Sequence, residues 1–249
     1  MVRKARTLAK ALAASFPALE DPDGAIAAGG VAVDGRINTN PSSVIGPGST
    51  VTLAARTILR GEAKLRGAVH AFDLRLQGCI ALDIGASAGG FTRVLLEEGA
   101  SRVYAVDAGH GQLLGSLRQD ARVVNLEATN LGDLNVALVP QEIEIFTVDL
   151  SYISLTDAVP QLETMHIHPQ CHLVALVKPM FELHLPQPPS DRADLQEALR
   201  RACAGIEAGK WSVEGWIDSP VTGAKGAVEF LVHARRRAAE PPVPSPDHR

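Results

Sequence analysis

The chain reads as an α/β protein: a doubly wound, mostly parallel sheet of seven strands that ends in an antiparallel hairpin, preceded by a small α+β unit. Two observations predict this. From Lys64 to Ala234, short aliphatic runs alternate with helix-length stretches, as expected for strands joined by crossover helices. Residues 25–53 break that alternation with short strand-like runs and a tight-turn signal.

In chain order, residues 3–16 predict an amphipathic helix, with Leu8, Leu12 and Phe16 on one stripe and Arg3, Lys4, Arg6 and Lys10 free to face water. Ala25–Gly29 closes a short helix. Val31–Val33 and Arg36–Asn38 flank Asp34-Gly35, a hairpin turn whose residues tolerate positive φ. Ser49–Leu53 is another short strand, and residues 54–60 form the connection. The sheet then follows. Its strands are Cys79–Ile84, Arg102–Val106, Arg122–Leu126, Ile143–Leu150, His172–Val177, Val213–Ser219 and Ala227–Ala234. Helices fall at Gly90–Glu98, Leu113–Leu117, Leu155–Met165 and Ala193–Glu207. Only a turn, Thr222–Gly226, separates the last two strands, so they must pair antiparallel. The expected domains are 1–58 and 59–237, with 238–249 a disordered tail rich in Pro and charge.

Apolar residues make up 46% of the 249, enough for a sizeable core, but aromatics are only 4%, so aliphatic side chains must fill it. The net charge of −4 argues against a general nucleic-acid coat. Its distribution is uneven: residues 1–70 hold nine Lys/Arg and five Asp/Glu, the remainder fifteen and twenty-three. A polyanion would be gripped through the N-terminal part. Three cysteines, an odd count without a C-x-x-C, fit reduced thiols in a cytoplasmic protein, with no disulfide frame and no metal site. No apolar run is long enough to span a bilayer, and no cleavage site follows the basic start, so neither a membrane partner nor a signal peptide is expected.

The strongest motif is Asp83-Ile84-Gly85-Ala86-Ser87-Ala88-Gly89-Gly90-Phe91. A strand runs into glycines and then into a helix, at the strand end where open α/β sheets bind ligands. The spacing is not the Gly-x-Gly-x-x-Gly of dinucleotide folds. Asp83 offers an acceptor to a cationic amino group, as S-adenosyl-L-methionine presents. Asp107, ending the next strand twenty-four residues on, stands where a carboxylate takes ribose hydroxyls. Asn130, past the third strand, could contact the base. A plain strand–helix turn would explain the glycines but not both carboxylates.

Four further polar groups stand at the edges of apolar runs: Lys64 before the first strand, Asp149 and Lys178 at strand ends, and Glu229 inside the final strand. Gathered at one edge, two lysines and two carboxylates would let one lysine act as a base toward a sugar hydroxyl.

These segments, with Val103–Leu113, Val148–Leu155, Val177–Glu182 and Thr222–Leu231, resemble the TlyA (haemolysin A-like) family of ribosomal RNA 2′-O-methyltransferases, which have an FtsJ-type, Rossmann-like catalytic domain. The resemblance covers about residues 22–235. It implies a Lys-Asp-Lys-Glu tetrad at Lys64, Asp149, Lys178 and Glu229, with Lys178 as general base. The cofactor contacts expected from the turn and the strand ends are Asp83, Gly85, Ala86, Ser87, Gly89, Gly90, Phe91, Asp107, Asn130 and Asp149. The resemblance also implies a leading RNA-binding domain of the kind named for ribosomal protein S-four, and cytidine ribose in ribosomal RNA or ribosomal subunits as substrate. This chain has Leu59-Arg60-Gly61-Glu62 before the first lysine and Leu183–Pro189 after the Pro-x-Phe-Glu segment. The changed loop motivates a second reading, an RNA- or ribosome-associated protein that binds the cofactor with weak or no transfer. The haemolysin name by itself predicts nothing, since no segment suits a membrane.

Overall fold

The computed structural model describes residues 5–27, 29–53 and 59–237. Residues 1–4, most of the expected connection (54–58) and the expected tail (238–249) lie outside the described residues. The chain divides into two compact units, 1–133 and 134–249.

The first unit begins with β1 (Arg6–Thr7), α1 (Leu8–Ser15), α2 (Pro22–Ala27), β2 (Val31–Val33), β3 (Arg36–Ile37), β4 (Val44–Ile45) and β5 (Val51–Leu53). Helix α1 starts at Leu8 rather than Arg3. Thr7 caps it, its hydroxyl accepting from the Lys10 amide, and Arg6–Thr7 are drawn into antiparallel pairing with β4. Strands β3-β2-β5 form a second small antiparallel sheet. Asp34 and Gly35 both take positive φ at its hairpin, as their residue types predict. Leu8, Ala11 and Leu12 of α1 close a small core with Ile26, Val31 and Ile45.

The same unit continues with α3 (Arg60–Ala71), β6 (Ile80–Ile84), α4 (Gly90–Glu97), β7 (Arg102–Asp107), α5 (Gly115–Gln119) and β8 (Val123–Glu127). Strands β6, β7 and β8 pair in parallel. Residues Ala81–Ile84 are buried without alternation, as a strand covered on both faces requires. Helix α3 is a correction: the sequence reading has a connection to residue 60 and places Lys64 simply ahead of a strand. Residues 62, 65 and 69, and 64 and 68, are buried at helical spacing, but two of them are Glu62 and Lys64, which hides the apolar stripe.

The second unit holds β9 (Ile143–Val148), α6 (Leu155–Ala158) running into a 3-10 stretch (Val159–Thr164), β10 (Ile167–Val177), α7 (Pro179–Glu182), α8 (Arg192–Ala208), β11 (Trp211–Asp218) and β12 (Phe230–Arg236). Strands β9 and β10 are parallel, and β12 is antiparallel to both β10 and β11. Fully buried Trp211 anchors the core, its ring edge-on to Phe146 at 5.9 Å and capped by the Arg236 guanidinium. Glu229 is a second correction. It immediately precedes β12 instead of lying within it, and its carbonyl accepts the Ser219 amide at 2.9 Å. The seven long strands run partly parallel and partly antiparallel, ordered β6-β7-β8 in the first unit and β11-β12-β10-β9 in the second. Among the described residues no helix is long and apolar enough to cross a membrane.

Candidate active site

In the first unit, β6 delivers Asp83 to the start of the glycine turn. The amides of Gly85 and Ala86 both donate to the Val106 carbonyl at 2.9 Å, which turns the chain off the sheet at the end of β7. Asp83 is fully buried and accepts the Thr92 hydroxyl at 2.6 Å, so it ties the strand to the first turn of α4. Gly89 takes φ +95°, and a Cβ there would lie 2.1 Å from Leu117 Cδ1. A Cβ on Gly90 would lie 2.9 Å from the Gly61 Cα, so α3 and α4 meet backbone to backbone. Phe91 is buried beside that contact. These two glycines are therefore demanded by protein packing.

Asp107 organises the exposed side of the turn. Its two oxygens accept the Ser87 amide at 2.8 Å and the Gly109 amide at 2.7 Å. It is half-buried, and Ser87, His110, Gly111 and Gln112 around it are exposed. The Ser87 hydroxyl donates to Gln112 Oε1 at 3.1 Å. One residue that the sequence reading missed stands next to Asp107 in strand register, Glu127 at the end of β8. Its carboxylate receives the Gln112 amide at 2.5 Å, the Leu113 amide at 2.9 Å and the Asn125 side chain at 3.0 Å. Burial alone would raise its pKa, but the Asn125 side chain, those two amides and the Arg118 guanidinium hold it down at about 2. The signal was available: where neighbouring parallel strands end in register, an acid ending the third strand lies beside the one ending the second. Asn130 is exposed, its amide donating to Asp133 at 3.2 Å.

Lys64, 6% exposed, sits one turn into α3. Glu62 on the same helix is 2% exposed and has a structural partner: it accepts the Leu59 amide at 3.2 Å and pairs with Arg93 of α4 at 2.8 Å.

In the second unit, Asp149 follows β9, and Lys178 follows β10 and caps α7. The Lys178 ammonium lies 2.5 Å from Asp149 Oδ1 and donates to the Ser151 hydroxyl at 2.7 Å, with both charged side chains mostly shielded from water. The last register pair of β10 and β12 is Val177 with Phe230, so Lys178 and Glu229 leave their strands at the same end. Glu229 is 5% exposed and lies against Gly223, where a Cβ would stand 2.3 Å from its Oε1. The first unit thus carries the acids Asp107 and Glu127, and the second carries Asp149 and Lys178, at the carboxyl ends of parallel strands, the position where such sheets bind ligands.

A family model for FtsJ-like methyltransferases matches residues 58–236. The 16S/23S rRNA (cytidine-2'-O)-methyltransferase TlyA of Mycobacterium tuberculosis is 36% identical over 219 residues, covering 84% of this chain and 81% of the relative. Hemolysin A of Brachyspira hyodysenteriae is 36% identical, covering 71% of this chain and 75% of the relative. Among solved structures, a putative hemolysin from Streptococcus thermophilus superposes with a TM-score of 0.70 at 32% identity, covering 97% of this chain and 92% of that one.

Proposed function

Because the chain belongs to the FtsJ-like methyltransferase family, we propose that it transfers a methyl group from S-adenosyl-L-methionine to the 2′-hydroxyl of a cytidine in ribosomal RNA, free or in a ribosomal subunit. The observation that carries the reading is the Lys178–Asp149–Ser151 contact set. A lysine held by a carboxylate and a hydroxyl at a strand end is placed to take a proton from a sugar hydroxyl.

The residues present fit the cofactor. Asp107 is half-buried, rimmed by exposed loop residues and aligned by two amides, which suits a ribose diol. Gly85, Ala86 and Ser87 form the turn beside it, Glu127 fixes the far wall, and Asn130 stands exposed past the third strand. Asp83, Gly89, Gly90 and Phe91 serve by shaping the turn, through the Thr92 bond and the close packing described above. Bound there, adenosylmethionine supplies a methyl group made electrophilic by its sulfonium.

Once it has released one proton to water, Lys178 as the neutral amine would accept the 2′-hydroxyl proton, leaving the ribose oxygen to take the methyl group that bound adenosylmethionine would supply. Asp149 and Ser151 hold the lysine in line, and the proton then passes to water. Lys64 and Glu229 complete the tetrad that the family resemblance implies. Residues 1–58 serve as the RNA-gripping domain, consistent with their excess of basic over acidic residues. The assignment places the protein with ribosomal RNA in the cytoplasm. Lys178→Ala should abolish transfer of labelled methyl to ribosomal RNA or subunits while adenosylmethionine still binds by calorimetry. A fully active variant would remove Lys178 as the base.

A further inference from the structure

Glu182 is a carboxylic acid that the proposed chemistry does not use, yet it is 4% exposed. It closes α7, the short helix that Lys178 caps, and the Lys178 carbonyl accepts the amides of Phe181 and Glu182 at 2.9 and 3.3 Å. Its Oε1 accepts the Leu155 amide at 2.7 Å, at the first residue of α6. Helix α6 follows directly on the Asp149–Ser154 segment that provides both partners of the Lys178 ammonium. One carboxylate therefore joins the segment that carries the lysine to the segment that carries its two partners.

We infer that Glu182 is a positioning residue for the lysine centre: by binding the Leu155 amide it locks α7 to α6 and so sets the Lys178 ammonium against Asp149 and Ser151. The inference rests on the reading of Lys178 as the base. It also makes that centre sensitive to pH. The anion accepts the Leu155 amide more strongly than the neutral acid, and burial pushes Glu182 up to about 7. Its Oε2 has no hydrogen-bond partner, which adds to the cost of the charged form. The groups around it are Asp157 of α6, His184 after α7, and Arg200, Arg201 and Cys203 of α8. Asp157 raises its pKa further, while the Leu155 and Thr156 amides and the Thr156 hydroxyl favour the anion. Glu182 also lines a cavity of about 390 Å³, which gives protons a route to it.

The test compares Glu182→Gln and Glu182→Ala in the full chain, with kcat and KM measured against ribosomal subunits from pH 6 to 9. Glutamine can still accept the Leu155 amide but does not titrate. Glu182→Gln should lose two- to fivefold at pH 8 and lack an inflection near pH 7 that the parent shows. Glu182→Ala should lose at least tenfold in kcat with adenosylmethionine affinity within threefold of the parent. If Glu182→Ala does not fold, the glutamine profile decides alone. Parent-like pH dependence in Glu182→Gln, or alanine kcat within twofold of the parent, overturns the inference. The lysine signal in carbon-13 NMR reads the same geometry without catalysis: it should shift with a midpoint near pH 7 in the parent and not in Glu182→Gln. If Lys178→Ala proves fully active, the base assignment fails by itself, and the NMR titration still confirms or overturns the positional role of Glu182.

Discussion

Replacing Glu127 with glutamine tests whether the wall of the proposed cofactor site is held by charge. Its pKa of about 2, against an ordinary 4.5, corresponds to roughly 3.4 kcal/mol of preference for the anion in the folded state. Solvent at the rim of the loop screens part of this, so the expected loss in Glu127→Gln is about 1–2 kcal/mol at pH 7. The folded pKa is depressed, so the contribution is full above the unfolded pKa and fades as pH falls from about 4.5 toward 2. By pH 3 less than half should remain, by roughly the same linkage relation. Urea unfolding of the parent and the variant at pH 7, 4 and 3 measures this directly. Adenosylmethionine affinity at pH 7 should fall several-fold, because the Gln112 and Leu113 amides lose their charged acceptor. Equal unfolding midpoints at pH 7, or a deficit unchanged at pH 3, would refute the reasoning.

Other perturbations follow from the same structure. Gly89→Ala combines backbone strain at φ +95° with a Cβ inside contact distance of Leu117 and Leu113, and should cost about 2–4 kcal/mol, read as a drop in the urea midpoint. Arg93→Ala removes the guanidinium from the buried Glu62 carboxylate and should destabilise by about 3 kcal/mol in the same assay. Glu182→Gln should do the opposite. Its raised pKa means that folding favours the protonated acid, so the parent loses stability as pH rises from about 4.5 to 7 and the variant does not; at pH 8 the variant should be more stable by roughly 2–3 kcal/mol. Equal thermal midpoints at pH 8 would contradict this.

Much of the molecule was legible in its sequence because the underlying patterns are local. The aliphatic runs gave all seven sheet strands, and the short Thr222–Gly226 link required the antiparallel hairpin that β11 and β12 form. Asp107, Asp149 and Lys178 stood out as candidates because each is polar at the end of an apolar run. What failed was set by tertiary partners. Helix α3 buries Glu62 against Arg93 and Lys64 beside Leu65, so its inward face looks polar in sequence. The Thr92 hydroxyl that Asp83 accepts, nine residues later, was not read from the sequence. Glu127 matters only through its register with Asp107, and Glu182 only through Leu155, twenty-seven residues away in sequence. Those relations exist only once the strands and helices are assembled.

The central claim is the acceptor atom. The most direct measurement incubates the purified chain with labelled adenosylmethionine and ribosomal subunits and maps the methylated nucleotides by mass spectrometry after nuclease digestion. The account predicts label on the 2′-oxygen of cytidine in ribosomal RNA, lost in Lys178→Ala. Label on a base, or no label on any subunit from a protein that binds the cofactor, would contradict it.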